Sequence, residues 1–461
     1  MPILAGFMVP HPPMIVPDIG KGEERKISST IEAYERVADE VAGLKPDTII
    51  ISSPHSIMYA DYFHISPGEK AKGSFKRFHA GNVAFEETYD SELTDRICAY
   101  AEEDEFPAGT LGERDPELDH GTMVPLYFIR QKYQEGKIVR IGLSGLPLSD
   151  HYRLGMYIAR AIEDLNRRVV FIASGDLSHK LQEYGPYGFA KEGPQYDERI
   201  MDVCSRAAFG ELFDFDEVFC EKAAECGHRS FVMMAGAFDG LAVKAEALSH
   251  EDVTGVGYGI CTFYPQGKDE GRHFLLEHEK KMEAQIKKRR ENADAYVRLA
   301  YDAVDYYVLH RKYLPLPEDI DEELINRKAG AFVSIHKEGL LRGCIGTTGP
   351  TRDNVALEII GNAVSACSRD PRFSPIREEE LKDLEISVDV LGDTEDISSP
   401  EELDVKRYGV IVSCGNRRGL LLPDLDGVDT VEQQIEIARQ KGGIRENENY
   451  TLQRFEVVRH Y

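Results

Sequence analysis

Four histidines of this chain occupy similar positions, each beside a short apolar run. They are His11 in "ILAGFMVPHPP", His55 in "TIIISSPHS", His120 in "ELDHGTMVPL" and His179 in "VVFIASGDLSH". Neutral imidazole is the commonest side-chain metal ligand, and it gives and takes protons near neutral pH. One histidine beside a strand is usually a hydrogen-bonded core or rim residue; four placed alike point to one centre. The prolines of "VPHPP" and "SPHS" restrict the backbone, so ordering such a site loses less entropy. Two histidines need an anionic third ligand to hold a divalent ion with open positions, the 2-His-1-carboxylate set being associated with non-haem Fe(II). The stretch "AAECGHRSFVMMAGAFDG" (Ala223 to Gly240) offers that ligand twice, as the Glu225 carboxylate or the Cys226 thiolate. A thiolate would favour zinc or copper, and Glu225 can also be read as a first-turn acid complementing a helix dipole.

Rigid elements must bring these groups together. "PDTIIISSPH", "GKIVRIGLSGL" and "RRVVFIASGDLSH" are β-branched runs ending in Gly, Ser or Pro, the pattern of buried strands in a mostly parallel sheet. Amphipathic stretches such as Ile27 to Leu44 and His151 to Leu165 alternate with them, which predicts an α/β domain. In such a sheet functional groups gather beyond the strand ends, where His11, His55 and His179 fall. A chain of 461 residues exceeds one ordinary core. A densely charged run from Lys268, turning into a periodic helix, marks a boundary, giving domains over 1–265 and 287–461 with a charged helical linker over 266–286. Strand-like segments at antiparallel spacing, "AGAFVSIHKEGLLRGCIGT" and "EISVDVLG", predict a smaller α+β domain after it.

The ordered motifs "VPHPP", "SPHS", "LDHGTMVPL" and "SGDLSH" resemble those of LigB-type class III extradiol ring-cleavage dioxygenases and their Memo-family relatives, over about residues 1 to 264. The resemblance implies that His11 and His55 are metal ligands, that His179 is the acid/base histidine facing the open positions, and that His120 contacts substrate from the second sphere. Asp176 would orient the site. The ring-cleaving enzymes supply a carboxylate as third ligand and Memo-type proteins a cysteine; "ECG" holds both side by side. The implied activity is an Fe(II)-dependent extradiol-type dioxygenase acting on a catechol-like or phenolic substrate, with zinc or copper as alternative metals.

In the second half "LLRGCIGTTGP", "AVSACSRDPRFSPI" and "RRGLLLPDL" resemble the AMMECR family over about residues 287 to 461. Cys344, flanked by Gly343 and Gly346, is a candidate nucleophile, although a structural or ligand-contact role is the commoner fate of such a thiol. Arg342, Arg369 and Arg372, the last two in "RDPRF" around Asp370, offer a contact site for an anion or peptide, or a self-satisfied loop. His336 would need a hairpin to reach Cys344. Fusion of the two halves resembles one component of the AmmeMemoRadiSam grouping, which implies a radical-SAM protein partner. The competing function is therefore a non-catalytic metal-binding accessory or interaction protein serving that partner.

Composition narrows the remaining classes. A net charge of −26 opposes nucleic acid and anionic membrane surfaces as default partners. Eight cysteines without a C-x-x-C pair fit reduced thiols, and neither a signal peptide nor a membrane span is read from the sequence, so a cytoplasmic protein is expected. A homo-oligomer is left open.

Overall fold

The computed structural model describes residues 3–114, 117–425 and 427–461, which form two compact units, Met1–Glu279 and Lys280–Tyr461. In the first, strands β1 (Ile3–Val9), β2 (Thr48–Ser53), β3 (Lys137–Gly142), β4 (Val169–Ser174), β5 (Leu241–Glu251) and β6 (Tyr258–Lys268) form one sheet in the order β3-β2-β4-β1-β6-β5. The first four are parallel, and β6 and β5 extend the sheet antiparallel.

Both faces of this sheet are covered, which is why its central strands read as unbroken apolar runs. Side chains alternate across a strand. Ile50, Phe171 and Met8 therefore enter one core, while Ile49, Ile51, Val170, Ile172 and Phe7 enter the other. Helices α1 (Ser28–Leu44) and α3 (His120–Lys132) close the second core through Tyr34, Val37, Val124 and Phe128. Helices α2 (Ser91–Glu103), α4 (Leu148–Asp164), α5 (Glu192–Ser205) and α6 (His228–Gly236) close the first, with Ile97, Leu154, Ile158, Ile200 and Phe231. The buried positions of α1, Ala33, Tyr34, Val37, Ala38 and Val41, recur at three- and four-residue steps, so one face of the helix meets the sheet.

Strand register fixes the site. Val9 of β1 is level with Ser174 of β4, and Ser52 of β2 is level with Ala173. Because β2, β4 and β1 are parallel neighbours, His11 and Asp176, two residues past the Val9–Ser174 rung, and His55, three past Ser52, lie at one edge of the sheet.

The unit boundary falls inside the charged helix α7 (Phe274–Asn292). Residues 266–268, expected in the linker, instead complete β6, where Gly267 and Lys268 pair with Ala242 and Leu241. In the second unit β7 (Ala331–Lys337), β8 (Leu340–Gly346), β9 (Leu384–Leu391), β10 (Glu395–Ile397), β11 (Tyr408–Cys414), β12 (Arg417–Leu421) and β13 (Thr451–His460) make an antiparallel sheet. Its order is β8-β7-β9-β13-β11-β12, with β10 also on β13. Helices α8 (Ala295–His310) and α9 (Val355–Ser368) share a core with β7 and β9, and α10 (Val431–Lys441) packs on β11 and β12. An α+β domain results. All eight cysteines are free, and among the described residues no helix is long and apolar enough to cross a membrane.

Candidate metal centre

His11, His55 and Cys226 converge, with one ligand atom from each lying within 4.8 Å of the others. His11 Nε2 is 3.0 Å from His55 Nε2 and 3.6 Å from Cys226 Sγ. The His120 ring lies over that of His55, centroids 3.9 Å apart, and 5.4 Å from that of His11.

Hydrogen bonds set which nitrogen of each ring is open. Ser174 Oγ donates its one proton to the Gly121 carbonyl at 2.6 Å, so its 3.0 Å contact with His11 Nδ1 requires the imidazole to donate. The neutral ring then carries its lone pair on Nε2, toward His55 and Cys226. Burial, followed by the neighbouring His55, holds His11 well below the ordinary histidine value against the opposing pull of Asp119. Burial, then His55 and His11, lowers His120 to about 3. Both rings are therefore neutral at neutral pH, which for His11 is what metal ligation demands. His179 Nδ1 donates to the Ala224 carbonyl at 2.6 Å, leaving Nε2 turned toward Asp176 Oδ2 at 3.9 Å. Asp176 accepts the His11 backbone N–H at 2.7 Å, and burial raises its pKa.

The choice between Glu225 and Cys226 follows from how two loops join. The Cys226 N–H donates to the Asp176 carbonyl at 3.4 Å, and the Asp176 N–H donates to Cys226 Sγ at 3.3 Å. Close approach at this seam needs Gly175 and Gly227, because a Cβ on Gly175 would stand 2.1 Å from the Gly227 Cα. Cys226 thus faces the histidines. Glu225 turns away, accepts the His228 N–H at 2.6 Å where α6 begins, and is raised to about 7 by burial. The carboxylate expected as a ligand instead satisfies a helix N-terminus. Burial, then Asp176 and Glu225, pushes the Cys226 thiol well up, so a bound cation is what would favour its thiolate.

Two contributors give weak sequence signals. Asp119 caps α3, accepting from Thr122 N–H at 3.0 Å and Ser53 Oγ at 2.6 Å, and so ties His120 to the end of β2. Ser174 fixes the His11 tautomer. The Asp before "HGT" is a legible cap, whereas nothing local distinguishes Ser174 from any strand-terminal serine.

A family model described as the catalytic LigB subunit of aromatic ring-opening dioxygenase matches residues 5–261, more than half of the chain. The chain belongs to the LigB family. A model described as AMMECR1 matches residues 297–460 behind this LigB domain. Protein CA_C1420 of Clostridium acetobutylicum is 42% identical over 98% of this chain and 98% of its own length. A Thermotoga maritima protein is 50% identical over 36% of this chain and 96% of its own length. The solved structure of PH0010 from Pyrococcus horikoshii is 30% identical, with a TM-score of 0.35, over 37% of this chain and 91% of that one.

In the AMMECR1-type region Arg342, Cys344 and Arg372 are all engaged within the fold. Arg342 donates to both Glu380 carboxylate oxygens at 2.9 and 3.0 Å and to the Ser374 carbonyl at 2.8 Å. Asp370 accepts the Cys344 N–H at 2.9 Å, and Arg372, held on Asp370 by two guanidinium bonds, donates to the Cys344 carbonyl at 3.2 Å. "RDPRF" thereby covers the outer edge of strand β8. The hairpin does form, but it places Ser334 rather than His336 opposite Cys344, with Ser334 Oγ 3.2 Å from the thiol. Arg369 is exposed. Gly343 lets α9 approach, since a Cβ there would meet the Ala366 carbonyl at 2.3 Å.

Proposed function

We propose that the LigB domain holds one metal ion through His11, His55 and Cys226 and acts as an extradiol-type dioxygenase on a catechol-like or phenolic substrate. The observation that carries this reading is the convergence of two Nε2 atoms and one Sγ beyond the ends of β1 and β2, the parallel strands on either side of β4, with a further histidine, His179, at the rim. The donor set fits a divalent ion with open positions. Iron is the choice that ring opening requires, and zinc or copper is the choice that the thiolate favours. When bound, such an ion supplies a Lewis-acid centre for phenolic oxygens and an electron relay to O2.

The chain's own residues then move protons and hold geometry. His179, fixed through Nδ1 on Ala224, presents Nε2 to take a phenolic proton and later return it, with Asp176 Oδ2 3.9 Å from that nitrogen. His120, neutral through burial, offers a polar contact that adds no charge to the site. Ser174 holds His11 in the ligating tautomer.

Anaerobic loading of the full chain with Fe(II), followed by oxygen uptake and ring-fission absorbance across a catechol panel, tests the reading. Oxygen consumption with a coloured product is expected. Cys226 itself favours a second reading, a metal-binding accessory protein serving a radical-SAM partner, because a cysteine ligand suits softer ions than an oxygenase needs. Metal bound at one per chain with no oxygen consumed would support that alternative.

A further inference from the structure

The loop after His179, "KLQEYGPYGFA" (Lys180 to Ala190), carries three aromatic side chains into solvent: Tyr184 at 74%, Tyr187 at 61% and Phe189 at 53% exposure. Among the described residues neither apolar core of the domain takes in any of them. The loop is nonetheless pinned. Leu181 N–H donates to the Gly255 carbonyl at 3.2 Å, Ala190 N–H closes onto the Lys180 carbonyl at 3.1 Å, and Gly185 packs so tightly on Gly255 that a Cβ would stand 3.0 Å from its Cα. An ordered loop that leaves apolar rings in water has a use for them other than packing.

Tyr187 is the one of the three that meets the site. Its ring lies 5.1 Å from that of His179, at 89° to it. Across the centre, Phe78 comes within 5.5 Å of the His120 ring.

We infer that Tyr187 is a substrate-binding residue, the aromatic wall against which the planar ring of a catechol-type substrate packs as it reaches the centre. The inference rests on the ring-cleavage reading and deepens it. A flat, exposed phenol beside the proton-carrying histidine contributes most to a ring and little to a compact aliphatic ligand.

The test uses the full chain, loaded anaerobically with Fe(II) and titrated with 4-nitrocatechol, whose visible spectrum reports binding without turnover. Wild type should bind. Tyr187→Ala should weaken binding about threefold or more, up to about tenfold, as loss of one aromatic pair predicts. Tyr187→Phe should restore it, and Tyr184→Ala should leave it unchanged. Metal content, measured in each variant, should not move. If wild type binds the probe and Tyr187→Ala changes affinity by less than threefold, the inference alone fails. It also fails if Tyr184→Ala costs as much, or if Tyr187→Ala loses metal. If wild type binds no catechol, the ring-cleavage reading falls and takes this inference with it.

Discussion

The two halves of the chain present equally suggestive motifs, yet they treat their polar groups in opposite ways. At the edge of the first sheet, His11 Nε2, His55 Nε2 and Cys226 Sγ face one another across distances that one ion could bridge. Around Cys344, Arg342 is matched to Glu380, Arg372 to Asp370, and the strand-edge N–H and carbonyl of Cys344 to that same pair. Buried polar groups are ordinarily satisfied within the fold; here two imidazole nitrogens and a thiol sulfur have one another as partners, which is the arrangement of a candidate metal site. The second cluster needs nothing added. Arg342 and Arg372 are each held in an ion pair, so an anion bound by those two would have to break both pairs first, while Arg369 is exposed.

The largest expected effect sharpens that contrast directly. His11→Ala should abolish stoichiometric metal binding, whereas Cys344→Ala should leave metal content unchanged; elemental analysis of dialysed protein reads both. A His11→Ala protein that retained its metal would place the centre elsewhere. Next, Cys226→Ser should weaken metal affinity by about 100-fold, at the upper end of what even indirect changes to a metal site cost. Glu225→Gln should keep the metal and lose only about 1 kcal/mol of stability, through a poorer start to α6. Equal metal loss in both variants would show that the carboxylate coordinates after all.

The AMMECR1-type domain has its own test. The Asp370 side chain is 2% exposed, and the Arg372 guanidinium hydrogen-bonded to it holds its carboxyl well below the usual carboxylate range. Arg372→Ala leaves that carboxylate under-satisfied and should cost roughly 2 kcal/mol, read from the denaturation midpoint. The sign with pH is fixed. A depressed native pKa contributes stability that is complete above the unfolded value near 4 and is lost as pH falls through the native value. Between about pH 4 and pH 2 wild type should therefore lose stability that Arg372→Ala no longer has to lose. Parallel curves would mean the pair adds nothing, and the loop would again be free to bind an outside anion.

Much of this was legible in the chain, for identifiable reasons. Strands buried on both faces announce themselves as runs such as "TIIIS" and "VVFIAS", and parallel strands send their following residues to one edge, so the meeting of His11 and His55 could be read from periodicity and position. What could not be read was orientation. "ECG" contains two ligands in adjacent positions, and which faces inward depends on a backbone seam between residues 176 and 226 that no local pattern encodes. Likewise "RDPRF" looks like a binding loop until the edge of β8 is seen to use it. Non-local pairing decides both cases, and pairing between segments 26 to 50 residues apart leaves no periodic trace.

The smallest predicted effect probes the part of the centre that sequence hid most completely. Ser174 touches no ligand-binding atom; it acts by accepting the His11 Nδ1 proton while spending its own on Gly121. Ser174→Ala removes that acceptor and leaves the imidazole free to adopt either tautomer, so part of the population carries a proton on Nε2 and must lose it before binding. Metal affinity should fall by about tenfold, the low end of what such supporting contacts contribute, with metal stoichiometry at saturation unchanged. Ser174→Thr, which keeps a hydroxyl that both donates and accepts, should recover most of the loss. A tenfold fall that threonine does not repair would mean that the serine matters through packing between β4 and α3, and that the tautomer of His11 is set by the metal itself.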